Sequence, residues 1–186
     1  MKKVNQYYLD MIAVAAMLLL TVTRDVTATL SLTVVIKALG IVLVVLYLFT
    51  YRWINKPAVS SGRNNFFVVL YGIVLGVLAG SLMLQLSYFP GGASIAVFGL
   101  TATIGLLAID SLVYVFTKTI TIDRPTVVRL VAFVCLTTLI WKIPIEKRFL
   151  YTHRSNANFV EFYEMWKSDQ TFWQIHFQYE QEHGTF

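Results

Sequence analysis

The stretch from Phe66 to Phe116 constrains this chain more than any other. Phe66 to Ser87 carries no charged residue, and Ala93 to Phe116 carries only Asp110. A hydrocarbon core about 30 Å thick takes roughly 20 apolar residues of helix to cross. Each run is that long. Between them lies Tyr88-Phe89-Pro90-Gly91-Gly92. Proline cannot continue a helix and a glycine pair turns readily, so Pro90, Gly91 and Gly92 reverse the chain. The spacing predicts a transmembrane hairpin. Its first helix carries Gly72, Gly76 and Gly80, each four residues after the last, which leaves a groove without side chains along one face. Such ladders mark close helix contact, here either within the chain or between copies of it.

Composition extends this to the whole chain. Of 186 residues, 57% are hydrophobic and only 13% charged, with a mean hydropathy of +0.66. Soluble domains carry about 25% charged residues, so several spanning helices with short loops are expected. The net charge of +5 reflects loop lysines and arginines, not a nucleic-acid surface. A single cysteine, Cys135, excludes an internal disulfide and a thiolate metal cluster. Lys2, Lys3 and the following apolar run imitate a signal peptide. Asp10 interrupts that pattern, which predicts a retained first helix.

Taken in order, the chain reads as all-α, with about five transmembrane helices over 7–23, 26–49, 66–87, 93–116 and 127–145. The first run reaches spanning length only if Tyr7, Tyr8 and Leu9 join it, with Asp10 near the headgroups. The second ends at Tyr51, Arg52 and Trp53, an interfacial signature. A polar loop from Asn55 to Asn65 separates it from the hairpin. The last span carries Arg129 near its start and Lys142 and Pro144 near its end; if it does not cross, four spans remain.

Residues 1–145 thus form a membrane domain and 146–186 a polar, aromatic-rich tail. Phe159, Phe162, Tyr163 and Trp166 fall on one helical face, and Trp173 and Phe177 continue the pattern. One or two amphipathic helices are expected there, capped by Asn156 or Asn158. Basic residues in short loops (Lys2, Lys3, Arg52, Lys56, Arg63, Lys118, Arg124) place the amino terminus in the cytoplasm. Five spans then put the tail outside, against the pull of Lys142, Lys147, Arg148 and Arg154.

Few residues can carry chemistry. Lys37 and Asp110 lie within spans, where an unpaired charge costs several kcal/mol, so they are functional candidates. At 1.5 Å per residue they differ in depth by about 9 Å, which a lysine stem partly covers. A structural ion pair or a snorkelling contact is the plainer expectation, and a proton or ion path the sharper one. In the tail His176, Glu180 and His183 share a helical face and have the donor types for zinc or iron. They lack the adjacent glutamate of the metalloprotease motif, so a solvated polar face is expected, with no metal and no cofactor. No nucleophile–base pair, phosphate-binding glycine loop or haem-type histidine pair is present.

Leu84-Gln85-Leu86-Ser87-Tyr88-Phe89-Pro90-Gly91, followed by Ala93-Ser94-Ile95 and Phe98-Gly99-Leu100, resembles one known hairpin. It is that of the small inner-membrane subunit of the gliding-motility/type 9 secretion motor. The resemblance covers residues 84–100 and rests on the aromatic-Pro-Gly turn. In that family the hairpin helices carry a lysine, a histidine and a glutamate tied to proton-driven rotation. By position these fall on Gln85, Tyr88 and near Thr103, with Asp110 two turns further along. The resemblance therefore implies a related bacterial scaffold without the same motor chemistry. The additional spans also depart from that family's two-helix plan.

The sequence predicts a multi-pass protein of the inner (plasma) membrane, non-enzymatic, acting as a scaffold or accessory subunit of a larger complex. Its partners would be the lipid bilayer and other membrane subunits or copies of itself, with no nucleic acid. The competing expectation is a channel, proton-coupled transporter or stator-like element using Lys37 and Asp110.

Overall fold

The computed structural model describes residues 9–23, 30–50, 62–87, 91–117, 122, 124–152, 154 and 156–183. Among them the regular structure is helical, with no strand: α1 (Leu9–Thr23), α2 (Leu30–Val45), α3 (Gly62–Leu86), α4 (Gly92–Thr117), α5 (Arg124–Lys142), α6 (Ile145–Thr152), α7 (Ala157–Trp166) and α8 (Phe172–His183). A π-helical turn, Leu46–Thr50, extends α2. Three helical segments are long and apolar enough to cross a membrane, Phe66–Leu86, Gly92–Thr117 and Arg124–Lys142. The apolar parts of α1 and α2, Asp10–Val22 and Val34–Phe49, are shorter.

Helix α3 is the axis of the bundle. It packs against α2, α4 and α5 and is buried around most of its circumference. The other helices each bury one stripe. On α4 the buried residues are Gly92, Ala96, Gly99, Thr103, Leu106 and Asp110, alternating steps of four and three. On α5 they include Thr126, Leu130, Phe133, Thr137 and Ile140 with the same steps. On α2 Ile36, Gly40, Leu43 and Tyr47 repeat it. This is the knobs-into-holes spacing of helices crossing at shallow angles. The faces left over carry Phe98, Ile104, Leu112, Val128, Val131 and Leu139, exposed and apolar, as a hydrocarbon solvent requires.

The glycine ladder faces inward, within the chain. A methyl group on Gly76 would stand 3.0 Å from Leu48, and one on Gly80 3.5 Å from Val44. Gly72 is buried on the same helix. A further glycine, Gly40, completes the contact from the α2 side: a Cβ there would overlap the Met83 side chain. Partners thus ascend along α2 (Gly40, Val44, Leu48) as they descend along α3 (Met83, Gly80, Gly76), which makes the two helices antiparallel. The absent side chains let two backbones approach closely and gain dispersion contacts.

Tyr88–Pro90 of the α3–α4 turn lies outside the described residues. Its flanks are well defined. Ser87 N–H donates to Met83 O at 2.9 Å, and Ile95 N–H donates to Gly91 O at 3.2 Å. At Gly92 a Cβ would stand 2.9 Å from the Gln85 nitrogen and 3.0 Å from the Leu84 carbonyl carbon. Backbone cannot yield as a side-chain end can, so glycine is required there by close approach.

The tail is three short helices, against the one or two expected. Pro144 breaks the chain after α5, and Ile145–Thr152 forms a turn of its own. Helices α7 and α8 close over Phe159, Phe162, Ile175 and Tyr179, with Ile145 and Leu150 of α6 packed against them. Tyr179 meets Phe159 edge-on at 5.1 Å between ring centres and Phe162 at 5.3 Å. Asn156 caps α7 by accepting from Phe159 N–H at 3.1 Å. Phe177 points outward. Burial, then the Glu146 and Glu164 carboxylates, raise the Tyr163 hydroxyl above its ordinary pKa, against the opposing pull of Lys167, which keeps that ring neutral.

Glycines with different surroundings should respond differently to a methyl group. Gly92→Ala and Gly40→Ala are expected to destabilise the solubilised protein by about 1–3 kcal/mol each through overpacking. Gly105, with nothing within 4 Å of an added Cβ, should accept alanine without loss. Thermal unfolding followed by circular dichroism would check the three together; an equal response at all three positions would refute the packing account.

Candidate functional site

One end of the bundle gathers the polar groups. Up-and-down packing brings the start of α1, the π-helical turn, the start of α3, the end of α4 and the start of α5 to the same end. Each contributes a buried polar side chain.

Asp10 is 4% exposed and Arg129 3%, although 119 residues of sequence separate them. Arg129 Nε donates to Asp10 Oδ2 at 2.5 Å. Tyr47 Oη donates to the same oxygen at 2.6 Å. Phe133 closes the other side of Tyr47 edge-on, its ring centre 5.6 Å away. Asp10 Oδ1 accepts the Met11 N–H at 3.0 Å, so the carboxylate also caps an orphan donor at the start of α1. The cluster therefore joins three helices through one charge-assisted network. A buried carboxylate and guanidinium are tolerable in a low dielectric only together and hydrogen-bonded.

Asp110 is the second buried acid, 7% exposed. Tyr71 Oη donates to its Oδ2 at 2.9 Å, while its Oδ1 is buried with no hydrogen-bond partner. A neutral phenol, not a cation, is its partner. Lys37 stands elsewhere. It faces outward from α2 in an exposed apolar stripe with Val34, Ile41 and Val45. The structure does not bring Lys37 and Asp110 together, and no ion pair joins them.

Gly76 and Gly80 pack against α2, and Gly72 is also buried on α3. Gly91 and Gly92 flank the turn, and Pro90 lies outside the described residues. In the tail the side chains of Trp173, His176 and His183 lie outside the described set; among the described residues no group of three His, Cys, Asp or Glu is placed to hold a metal. Glu180 is half-buried on α8. Asp10 and Arg129 read from sequence as charges at the ends of apolar runs, and the structure joins them to each other. The available signal was that each stands alone against apolar surroundings, so each needs an opposite charge in space.

No family model matches the chain, and no curated protein or solved structure matches it.

The chemistry these groups support is charge neutralisation and helix alignment. Removing Arg129 alone (Arg129→Leu) leaves the Asp10 charge without its counterion and is expected to cost roughly 3–5 kcal/mol. Removing both (Asp10→Leu with Arg129→Leu) should recover most of that loss. A double-mutant cycle on unfolding in a mild detergent would measure the coupling; purely additive losses would refute a paired charge. Tyr71→Phe strips Asp110 of its donor and should cost about 1–3 kcal/mol in the same assay.

Proposed function

We propose that this chain is a non-enzymatic scaffold or accessory subunit of a larger complex in the inner membrane. In this reading five helices span, the amino terminus is cytoplasmic and the tail lies on the opposite side, where it docks a partner. Helices α1 and α2 would reach spanning length with the residues that flank them.

The supporting observation is how the intramembrane charges are distributed. Asp10 and Arg129 neutralise each other, and Asp110 rests on Tyr71. Lys37 instead presents its charge on the outer face of α2, among exposed valines and isoleucines. An ammonium facing hydrocarbon is costly unless an acidic group of a neighbouring helix meets it or its stem carries it to the interface. A partner helix with a carboxylate satisfies it directly. The uncovered apolar faces of α4 and α5 offer further area for a neighbour or for lipid. The likeness over residues 84–100 contributes a turn geometry suited to assembly, with Gln85, Tyr88 and Thr103 in place of ionisable groups.

The second reading, a proton-coupled or stator-like element, is favoured by one feature: Asp110 keeps a buried oxygen without a hydrogen-bond partner. The two separate cleanly. Lys37→Leu should remove bound subunits from the gently solubilised protein, read by native mass spectrometry, while the isolated chain keeps its helicity. Asp110→Asn should leave those subunits in place. Loss of ion flux with the complex intact in Asp110→Asn, and no change in Lys37→Leu, would reverse the assignment.

A further inference from the structure

The opposite end of the bundle holds a cleft of roughly 360 Å³, within the range of small-molecule sites. Its walls are Leu18 and Val22 of α1, Leu86 of α3 and Ile140 at the end of α5, with α6 across the mouth. They are almost wholly apolar. Against this background one side chain is out of place. Gln85 is 2% exposed, lines the cleft, and has both Nε2 and Oε1 buried with no hydrogen-bond partner in the protein. A buried amide without partners costs several kcal/mol, and nearly all such groups in native proteins are satisfied by something.

Two cations stand at the same mouth. Lys147 is exposed, and Arg148 is held in place by donating from Nη1 to the Gln85 carbonyl oxygen at 2.9 Å. Tyr151 Oη, on the same helix, donates to Val22 O at 3.3 Å and fixes α6 over the cleft. Glu146, also on α6, does not line it. An apolar slot, a buried donor–acceptor pair and two cations fit an amphiphile with an acyl chain and an anionic head.

We propose that this cleft binds one anionic phospholipid drawn from the surrounding bilayer. The acyl chain lies along the apolar wall. The phosphate sits between Lys147 and Arg148 and accepts from Gln85 Nε2, and a headgroup hydroxyl donates to Gln85 Oε1. The lipid thereby seals the junction between the helical bundle and α6, on which the tail rests. It satisfies the amide in the way the protein does not, and it selects for negative charge at a position where a zwitterionic head would bring a second cation against Lys147.

The full chain, stripped of lipid in a mild detergent, would be offered phosphatidylglycerol or phosphatidylcholine with identical acyl chains, or oleate. Bound copies would be counted by native mass spectrometry and thermal stability followed in parallel. One phosphatidylglycerol per chain is expected, retained at least tenfold over phosphatidylcholine and raising the unfolding midpoint. Gln85→Leu, which removes the buried amide without opening a cavity, and Lys147→Gln should each lower that preference several-fold while leaving helicity unchanged. Equal retention of both phospholipids, or undiminished preference in both variants, would overturn the proposal. So would preference for oleate over phosphatidylglycerol, or no retained lipid, which would leave water as the partner of Gln85.

Discussion

The close approach of α2 to α3 is the contact on which the bundle depends. Membrane helices gain little from burying apolar surface against each other, because lipid tails are equally apolar. What remains is dense packing and polar contact, and both require short interaxial distances. Gly40, Gly76 and Gly80 provide that distance. With α2 seated, the π-helical turn at its end carries Tyr47 over the bundle axis, where Asp10 of α1 and Arg129 of α5 converge on it. Without the glycine contact, Tyr47 would lose its place beside the Asp10–Arg129 pair. Packing and electrostatics are therefore one constraint seen from two sides.

The two ends of the bundle differ in kind. At one, Asp10 is matched by Arg129 and Tyr47, and Asp110 by Tyr71 through one of its two oxygens. At the other, Gln85, Lys147 and Arg148 border an apolar cleft with an amide left over. Between them the stripe spacing on α2, α4 and α5 leaves outward faces of hydrocarbon character. On α2 that outward face also carries the charge of Lys37.

Much of the helical plan was legible because apolar runs of spanning length have few alternatives in water or lipid. The hairpin read from Phe66 to Phe116 appears as α3 and α4; of the glycine ladder, Gly76 and Gly80 pack on α2 and Gly72 is buried. Asn156 could be recognised as a cap because capping is local. The buried charge pair could not, for a physical reason. Asp10 and Arg129 meet through tertiary packing across 119 residues, and no periodicity links them. Depth alone matched Lys37 with Asp110, yet depth says nothing about which way a residue faces around its helix. The stripe on α2 runs through Ile36 and Gly40, and Lys37, one residue further round, is turned to the outside. The aromatic periodicity that marks the tail starts only at Phe159, so nothing in it signals the separate helix that follows Pro144.

The order in which the chain is made gives the Asp10–Arg129 pair a further consequence. Asp10 leaves the ribosome long before Arg129 exists. At typical elongation speeds of 5–20 residues per second, the intervening 119 residues take roughly 6–24 s. During that interval the Asp10 carboxylate has no Arg129 guanidinium to meet. Tyr47, only 37 residues on, arrives sooner and offers a hydroxyl as an interim partner. The buried site around Asp10 is therefore complete only once α5 has been made. The network that Asp10 of α1 opens is thus closed by Arg129 of α5.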